Sequence, residues 1–312
     1  MPQHPRALVV GESLVDVLVT PDRAPVEAPG GSPMNVAVTL ARLGVPVELL
    51  TALGADDRGR AVRAHLAESG VDVLPSPPLE RTSSAVARVG ADGSASYEFD
   101  LTWPAFAAPD TAVAAVHVGS VAFFRTPTAD VQTLLRSASE AGALTTVDPN
   151  VRPALVGGQA AAVAHLEQAL PWVDVVKLSD EDAAWLYPGH TVEQVVDRLL
   201  QLGPRLVALT RGRTGAVLRS RLHEVVVPPI PVELVDTIGA GDSWMGALIS
   251  GLLDLGGASA LRRGVDRDGL AEIGGFAAAV AAVTVSRPGA DPPRRAELSS
   301  AHPAVEEGSI RA

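Results

Sequence analysis

The chain has 312 residues, of which 47% are hydrophobic and 20% charged, the composition of a globular protein that buries a large core. A formal net charge of −11 argues against non-specific binding to nucleic acid or to an anionic membrane surface. The absence of cysteine excludes disulfides, zinc–thiolate sites and a cysteine nucleophile. The N-terminal segment lacks the features of a signal peptide, and no apolar run approaches the roughly 20 residues of a membrane span, so we expect a cytoplasmic protein.

The first part of the chain alternates between short apolar runs and helical patterns. The predicted elements are strands at 7–10, 13–19 and 47–53 and helices at 35–43 and 57–69, which stop at Gly44 and Gly70. The Pro- and Gly-rich stretch 21–33 punctuates this pattern and predicts a connection rather than a regular element.

A different pattern follows between about residues 79 and 106. The runs 84–89 and 94–100 alternate in polarity around Ala91-Asp92-Gly93, and an Asp-Gly pair between alternating runs indicates a β-hairpin. Together with the strand predicted at 13–19, this hairpin would form a small sheet outside the main layer.

The rest of the chain returns to strands that alternate with helices. Strands are predicted at 115–118, 145–148, 173–178, 206–210 and 216–219, an extended segment at 225–235, and apolar helices at 241–255 and 270–283 before a Pro-rich tail. This order predicts a mostly parallel sheet with helices on both faces. In such sheets ligands bind beyond the carboxyl ends of the strands.

The segment from Asp236 to Gly246 carries the most specific chemical signal. Its turn Gly239-Ala240-Gly241 opens directly into an apolar helix, so backbone N–H groups and the helix dipole converge on one point suited to an anion. Asp242 follows in the first helical turn, where a carboxylate could take a proton from a hydroxyl that attacks a phosphoryl group. The alternative is an ordinary helix start with a favourable acidic residue.

Two other phosphate-binding patterns are absent. In a dinucleotide fingerprint the third glycine would come earlier than Gly246, and Asp242 would oppose a pyrophosphate. The single lysine, Lys177, has no Walker A context. A second segment, Gly30-Gly31 with Asn35, combines close backbone approach with an amide that can bind a polyol, although Asn35 could equally be the N-cap of the following helix.

These two segments resemble the two signatures of the ribokinase-like (PfkB) carbohydrate kinase family. The resemblance covers nearly the whole chain, because intermediate landmarks also come in order, among them Gly11-Glu-Ser-Leu-Val-Asp16, Gly54-Ala-Asp-Asp-Arg-Gly59, Asp148-Pro-Asn-Val-Arg152 and Thr210-Arg-Gly-Arg-Thr-Gly215. It implies a ribokinase-like three-layer α/β/α core with a mostly parallel central sheet and a small β-sheet lid. The chain would be one domain, 1–312, with the lid formed by about 12–34 and 79–106.

The resemblance also assigns roles residue by residue. Asp242 would be the base and Gly239, Ala240 and Gly241 the anion hole. The sugar would be held by Asp16, Gly31, Asn35 and Arg152, and ATP by Asn150, Lys177, Ser179, Thr210, Gly212 and Gly215. Magnesium would accompany ATP, and Asp236 begins a loop that in some relatives helps to bind a monovalent cation such as K⁺.

The chain departs from the family pattern near the phosphates. The family often has Asn and Glu where this chain has Ser179 and Asp182, so direct contact of these residues with Mg²⁺ is in doubt. Asp180 and Glu181 are interpreted as the acidic first turn of a helix. Because of such departures, a catalytically quiet sugar-binding protein is an alternative hypothesis, and an oxidoreductase a more distant one.

The context around Asp148 and Lys177 is most similar to fructokinases, so fructose is the expected substrate. Arg152 leaves the choice open, because a guanidinium also suits the carboxylate of 2-keto-3-deoxygluconate, and ribose or a nucleoside is the third possibility. Lys177 as a point charge suits a phosphate contact. His117 lies in a predicted strand and is expected to be a satisfied core residue. An exposed edge of the lid would favour a homodimer.

Overall fold

A computed structural model describes residues 6–90, 95–106, 113–125 and 128–301. The strands of these residues are β1 Ala7–Val10, β2 Leu14–Thr20, β3 Arg23–Gly30, β4 Val47–Leu50, β5 Val71–Leu74, β6 Ser84–Val89, β7 Ala95–Asp100, β8 Ala115–Gly119, β9 Leu144–Asp148, β10 Val175–Ser179, β11 Leu206–Thr210, β12 Ala216–Ser220 and β13 Glu224–Val227. The α-helices are α1 Ser32–Arg42, α2 Asp57–Ser69, α3 Ser120–Arg125, α4 Thr128–Glu140, α5 Gln159–Ala169, α6 Asp180–Leu186, α7 Val192–Leu202, α8 Ala240–Asp254, α9 Gly257–Arg263, α10 Arg267–Val285 and α11 Arg295–Ala301.

Nine strands form the large sheet in the order β13-β12-β11-β10-β9-β8-β1-β4-β5. The strands from β11 to β5 are parallel, and β12 and β13 are added antiparallel at one edge. Strands β8 and β9 in the middle are buried along their whole length, as strands covered on both faces must be. The predicted mostly parallel sheet is confirmed.

Helices cover both faces of this sheet, which gives the expected three layers. On one face, strand residues such as Val9 pack with Leu40 of α1 and Leu248 of α8. On the other face, residues such as Val10 pack with Leu166 of α5. Because successive side chains of a strand point to opposite faces, adjacent residues of β1 belong to different core clusters.

A separate small sheet contains the strands β3-β2-β6-β7. The predicted hairpin is confirmed as β6 and β7, while its turn at residues 91–94 lies outside the described residues. The stretch predicted as a connection contains strand β3, which is the main difference from the sequence-based expectation. Pro25 and Pro29 are tolerated because β3 is an edge strand.

Helix α1 begins earlier than predicted. Gly31, with a φ of 113°, is its N-cap, and Pro33 occupies the first turn, where a missing N–H costs no hydrogen bond. The alternative that Asn35 caps this helix is therefore wrong: Asn35 lies inside the first turns. Strand β5 and helix α11 were also not predicted, and the extended segment after Val227 is not a strand.

Helix α10 has the length and apolar composition that could cross a membrane, and the bent pair α8–α9 passes the same test only when counted as one span. The helix nevertheless contributes Leu270, Ala277 and Val280 to the core, where they pack with α8. A buried core helix commonly meets such a length-and-composition test.

Candidate active site

Several of the predicted site residues lie at the carboxyl ends of neighbouring parallel strands. Asp148 ends β9, Ser179 ends β10 and Thr210 ends β11, and the last two are partners in the strand register. The N-terminus of α8 brings Asp242 to the same region. The charge of Asp242 is close enough to act on both Asp16 and Lys177. A cluster of polar groups therefore lies at the carboxyl ends of the parallel strands, where the sequence predicts the ligand site.

Asp242 is held in a fixed orientation at the start of α8. Ser32 Oγ donates a hydrogen bond to its Oδ1 at 2.7 Å, and Asn35 Nδ2 donates to its Oδ2 at 2.8 Å. The carboxylate is nearly buried, with 8% of the residue exposed. Two donors use about half of the lone pairs of a carboxylate, so Asp242 can still accept a further proton or hydrogen bond.

The partners of Asp242 come from α1, which crosses α8 at very short distance. A Cβ at Gly246 would lie only 2.7 Å from the Cβ of Thr39, so glycine is required for this approach. The crossing brings Ser32 and Asn35, which lie three residues apart on one face of α1, to Asp242. Sequence reasoning did not find Ser32, although its spacing from Asn35 was a usable signal.

Gly239 adopts the left-handed conformation (φ 75°) as the N-cap of α8. A Cβ at Gly241 would lie 2.9 Å from Lys177 Nζ, so the absence of a side chain at Gly241 lets the ammonium approach the backbone of the 239–242 loop. A lysine charge and the N–H groups at a helix N-terminus both attract an anion, although the Ala240 N–H already donates to the carbonyl oxygen of Thr237 at 3.3 Å. Lys177 and the loop therefore form one anion-binding arrangement.

Lys177 is paired inside the protein with Asp148, a partner that sequence reasoning did not identify. Lys177 Nζ donates to Asp148 Oδ2 at 2.8 Å, and the two side chains are 5% and 0% exposed. Burial raises the pKa of Asp148 to about 6, an effect that Lys177 partly offsets. Burial alone would lower the pKa of Lys177, but the neighbouring carboxylates, with Asp148 first, raise it. Both groups are thus charged at neutral pH.

Asp182 connects the 148–152 loop to helix α6. Its Oδ1 accepts the backbone N–H of Val151 at 2.8 Å, and its Oδ2 accepts both the N–H and the hydroxyl of Ser179. Ser179 accepts the N–H of Asp182 in return, which completes a capping box. Asp180 and Glu181 lie in the first turn of α6, as interpreted from the sequence. Ser179 and Asp182 are thus engaged in holding the loop.

Asp16 lies on the side of the site formed by the small sheet. Its carboxylate lies against Gly30, where a side chain would collide with it. Burial raises the pKa of Asp16 to about 6, the charge of Asp242 adds to this rise, and Arg152 opposes it. Asp242 and Arg152 are therefore both near enough to act on Asp16.

Gly31 and Asn150 also have unusual backbone conformations. A Cβ at Gly31 would come within 2.6 Å of the carbonyl oxygen of Glu12, so this turn accepts only glycine. Asn150 has a φ of 36°, and Arg152 Nη1 donates to its Oδ1 at 2.7 Å. The Asn150 side chain is therefore already bound to Arg152.

The remaining predicted residues form two further loops. Thr210, Gly212 and Gly215 surround a short turn after β11, where Gly215 has a φ of 88° and lies against Val227. Asp236 accepts the N–H of Ile238 at 3.0 Å and that of Gly289 at 2.9 Å, so its carboxylate joins two loops. The structure brings Asp242, Asn35, Lys177 and Asp16 together. Thr210 lies beside Ser179 in the large sheet, and the loop that Asp236 holds packs against Gly239.

The fold and this arrangement of a carboxylate, a lysine and a glycine turn at a helix N-terminus fit an enzyme that handles phosphate. The model of the pfkB family carbohydrate kinases matches residues 6–296. The chain belongs to this family and is a phosphotransferase that acts on a sugar.

Similar proteins and solved structures within this family include several named fructokinase. The chain is 34% identical to fructokinase-1 of Zea mays over 94% of this chain and 97% of the relative. It is 32% identical to a fructokinase of Salmonella typhimurium over 78% of this chain and 83% of the relative. A fructokinase from Xylella fastidiosa, solved with bound ATP, superposes with a TM-score of 0.82 at 27% identity and covers 95% of this chain and 98% of that one.

Proposed function

We propose that this protein transfers the γ-phosphoryl group of ATP to a primary hydroxyl of a ketose, with fructose as the substrate and Asp242 as the base. The observation that carries the proposal is the oriented Asp242 carboxylate beside a buried lysine and a glycine turn. The identity of 32–34% to proteins named fructokinase supports fructose in particular.

In this mechanism Asp242 accepts the proton of the attacking hydroxyl. The sugar oxygen forms a bond to the γ-phosphorus while the bond to the oxygen that bridges the β- and γ-phosphates breaks, and ADP leaves. The N–H groups of Gly239, Ala240 and Gly241 and the Lys177 ammonium stabilise the charge on the group in transit. Ser32 and Asn35 keep Asp242 aimed at the hydroxyl.

The sugar would lie between Asp16 and Asp242, whose charges already influence each other. Asp16 would accept hydrogen bonds from sugar hydroxyls, while Gly31 lets the backbone approach the ring and Arg152 borders the site. The small sheet that carries Asp16 would act as the lid. Its four strands fall within the predicted intervals 12–34 and 79–106. We treat residues 1–312 as one domain on this basis.

ATP would lie on the β10–β11 side, with Asn150, Ser179, Thr210, Gly212 and Gly215 near it. Its phosphates would meet Lys177, which is the buried cation beside the anion-binding turn. Since Ser179 and Asn150 already have partners in Asp182 and Arg152, they would contribute through their backbone or by changing partner.

Magnesium, when bound, would neutralise phosphate charge. No group of three His, Asp or Glu side chains suited to a metal is found among residues 6–90, 95–106, 113–125 and 128–301. Asp182 is used for capping, so the donors present fit an ion held through ATP and water, which Mg²⁺ tolerates. Each oxygen of Asp236 accepts one backbone N–H and keeps a lone pair, with which it could help to bind a K⁺ ion at that loop.

A second substrate class is favoured by one observation. Arg152 is exposed, and its charge reaches Asp16 across the site, so it could bind the carboxylate of an acid sugar such as 2-keto-3-deoxygluconate. The neutral ketose remains the first candidate because the relatives reported above are named fructokinase.

A coupled ADP-release assay with ATP and Mg²⁺ tests the proposal on fructose, tagatose, ribose, 2-keto-3-deoxygluconate and adenosine. Preference for fructose is the expected result. Activity only on the acid sugar would preserve the mechanism and assign Arg152 to the substrate carboxylate. No activity on any of them, with Asp242 intact, would contradict the proposal and favour a sugar-binding role.

We also propose a homodimer formed through the small sheet. Its strands expose Leu18 and Val26, 44% and 59% exposed, and β3 is an edge with unpaired backbone groups. Light scattering would give twice the chain mass. A monomer at all concentrations would contradict this proposal.

A further inference from the structure

His117 is a buried histidine whose second ring nitrogen has no hydrogen-bond partner among the described residues. It lies on β8, in the centre of the large sheet, and is 1% exposed. Its Nδ1 lies 2.9 Å from Thr146 Oγ1, whereas Nε2 is fully enclosed and unpaired. A buried unpaired polar atom is unfavourable by about 1–3 kcal/mol, so its presence in the middle of a sheet requires a reason. The expectation of a satisfied core residue is thus correct for only one of the two nitrogens.

The hydrogen bonds assign the tautomer of His117. Thr146 Oγ1 donates to the carbonyl oxygen of Val116, at 3.4 Å, which leaves its oxygen to accept from His117. Nδ1 therefore carries the hydrogen and Nε2 carries a lone pair. Burial lowers the pKa of His117 to about 3, with the charge of Lys177 as the second cause, so the ring is neutral at physiological pH.

Nε2 points toward the end of β8 that faces the site. It lies 3.3 Å from the position that a Cβ would take at Gly119, the last residue of this strand. Gly119 is the register partner of Asp148, and the same Cβ would lie 2.8 Å from the Asp148 carbonyl oxygen. Nε2 therefore lies beside the backbone of Asp148, on the face of the sheet that the strand register gives to Asp148 and Lys177.

Lys177 requires acceptors in this region. An ammonium group has three hydrogens, and Asp148 takes one of them. The backbone of Gly241 lies against Nζ on the side where a phosphate would bind. A neutral acceptor on the opposite side would complete the environment of the ammonium without adding a second positive charge.

We propose that His117 is a positioning residue for phosphoryl transfer, whose Nε2 lone pair accepts a hydrogen bond through one water from beneath the Asp148–Lys177 pair and keeps the ammonium aimed at the 239–242 loop. The inference rests on the proposed function of that loop. His117 contacts no substrate in this proposal and acts through Lys177.

The side chain of Lys177 can be observed directly, because it is the only lysine in the chain. Protein grown with ¹³C-lysine, without a lysine in any purification tag, gives one ε-carbon signal whose shift with pH reports the ionisation of Lys177. The carboxylates that act on Lys177, namely Asp148, Asp182 and Asp242, are unchanged in the variants below. A change in the titration can therefore be assigned to His117.

Two substitutions separate the two ring nitrogens. H117Q places a polar amide near the position of Nε2, and H117N places it near Nδ1. We expect H117N to lower the titration midpoint of Lys177 and to reduce kcat/KM for ATP by about tenfold, the effect of a lost hydrogen bond to a charged group. H117Q should retain most of both properties. Val116→Ala, a buried neighbour facing the other side of the sheet, is the control for lost packing.

Equal behaviour of H117N and H117Q, or a Lys177 titration that neither variant changes, would overturn the inference. If either protein fails to fold, His117→Leu and the ¹³C signal of wild-type protein with and without ATP provide the same comparison. The NMR measurement needs no turnover. A shifted Lys177 signal in a protein inactive on every sugar would support the coupling of His117 to Lys177 and contradict the proposed function instead.

Discussion

The charged groups on the two sides of the candidate site are held in opposite ways. Below the site, Asp148 and Lys177 are buried in the middle of the large sheet, with strands on both sides. Above it, the small sheet is held by surface ion pairs such as Arg81–Asp100, whose side chains are 75% and 59% exposed. Buried groups in a packed sheet keep one arrangement, whereas the mostly exposed edge strand β3 of the small sheet can move more easily.

This difference matches the two tasks of a kinase. Transfer of a phosphoryl group needs a cation and a base at fixed positions. The buried Asp148–Lys177 pair in the large sheet, which we call the floor of the site, holds the cation in place. Entry of a sugar and exclusion of water need a cover that moves. Substitutions in the floor should therefore have large effects on catalysis and stability, and substitutions in the small sheet should have small ones.

The largest effect is expected for Asp242→Asn. The amide cannot take the hydroxyl proton, so kcat should fall by about 10²–10⁴-fold, the usual contribution of a general base. The KM values for sugar and ATP should change little, because the hydrogen-bonding shape is retained. Steady-state assays measure both constants.

The matched control is Asp254→Asn, an exposed carboxylate at the other end of α8 that pairs with Arg295. It should leave kcat unchanged. Near-normal turnover of Asp242→Asn would remove Asp242 from the role of the base.

The next effect concerns the buried pair. Lys177→Met leaves the Asp148 carboxylate buried without its partner, and we expect a loss of about 3–5 kcal/mol in the free energy of unfolding. The double variant Lys177→Met/Asp148→Asn should recover part of this loss, since no unpaired charge remains. Urea unfolding measures both.

Arg205→Met is the control for this experiment, because Arg205 pairs with Asp174 at 3.6 Å while its own side chain is 45% exposed. Its loss of stability should be clearly smaller. If Lys177→Met and Arg205→Met lose equal free energy of unfolding, burial does not make the Asp148–Lys177 pair more important for stability than a surface pair.

The 239–242 loop and the strands of the large sheet illustrate what the sequence could predict. The 239–242 loop and Asp242 were predicted because the turn, the helix start and the acid are contiguous in the chain. Strands β8 and β9 and the mostly parallel sheet were predicted because short strand-like runs alternate with helical patterns along the chain. Both depend on local patterns that one segment carries by itself.

Other features depend on contacts between distant segments. Asn35 binds Asp242 only because Gly246 lets α1 cross α8 closely. The sequence contains no pattern that predicts this helix crossing. Strand β3 was missed because its prolines resemble a connection, and only its edge position makes them acceptable. The partnership of Asp148 with Lys177 likewise arises from the register of two strands.

The third prediction concerns Asp16, which lies on the boundary between the two sides. Its pKa is raised to about 6 in the folded protein, above the ordinary value near 4, so the folded state holds this proton more tightly than the unfolded state does. The resulting stabilisation is present below about pH 4 and is lost as the pH rises through about 6. Asp16→Asn should therefore be more stable than wild type at neutral pH, by about 1–2 kcal/mol after allowance for partial exposure.

Urea unfolding of both proteins between about pH 4.5 and about pH 7.5 measures this difference, which should shrink toward the acid end. Asp100→Asn, which changes an exposed carboxylate of the same sheet, is the matched control, and its effect on stability should be small. The Asn variant should also bind sugar more weakly. Stability curves of wild type and Asp16→Asn that stay parallel would contradict the assigned shift.

The smallest effect is expected where the small sheet meets the core. Arg58 of α2 forms a two-point ion pair with Glu27 of β3, and both side chains are partly exposed. Arg58→Ala should lower the free energy of unfolding by about 0.2–1 kcal/mol, and added salt should reduce the difference because ions screen exposed charges.

Asp56 nearby is the comparison, since it caps α2 and binds both the N–H and the hydroxyl of Thr82 at the base of the sheet. Asp56→Ala should destabilise the protein more, by about 1–2 kcal/mol, and salt should matter less. If Arg58→Ala is the more harmful of the two, the small sheet is fixed to the core by its surface charges and is not the easily opened side of the site.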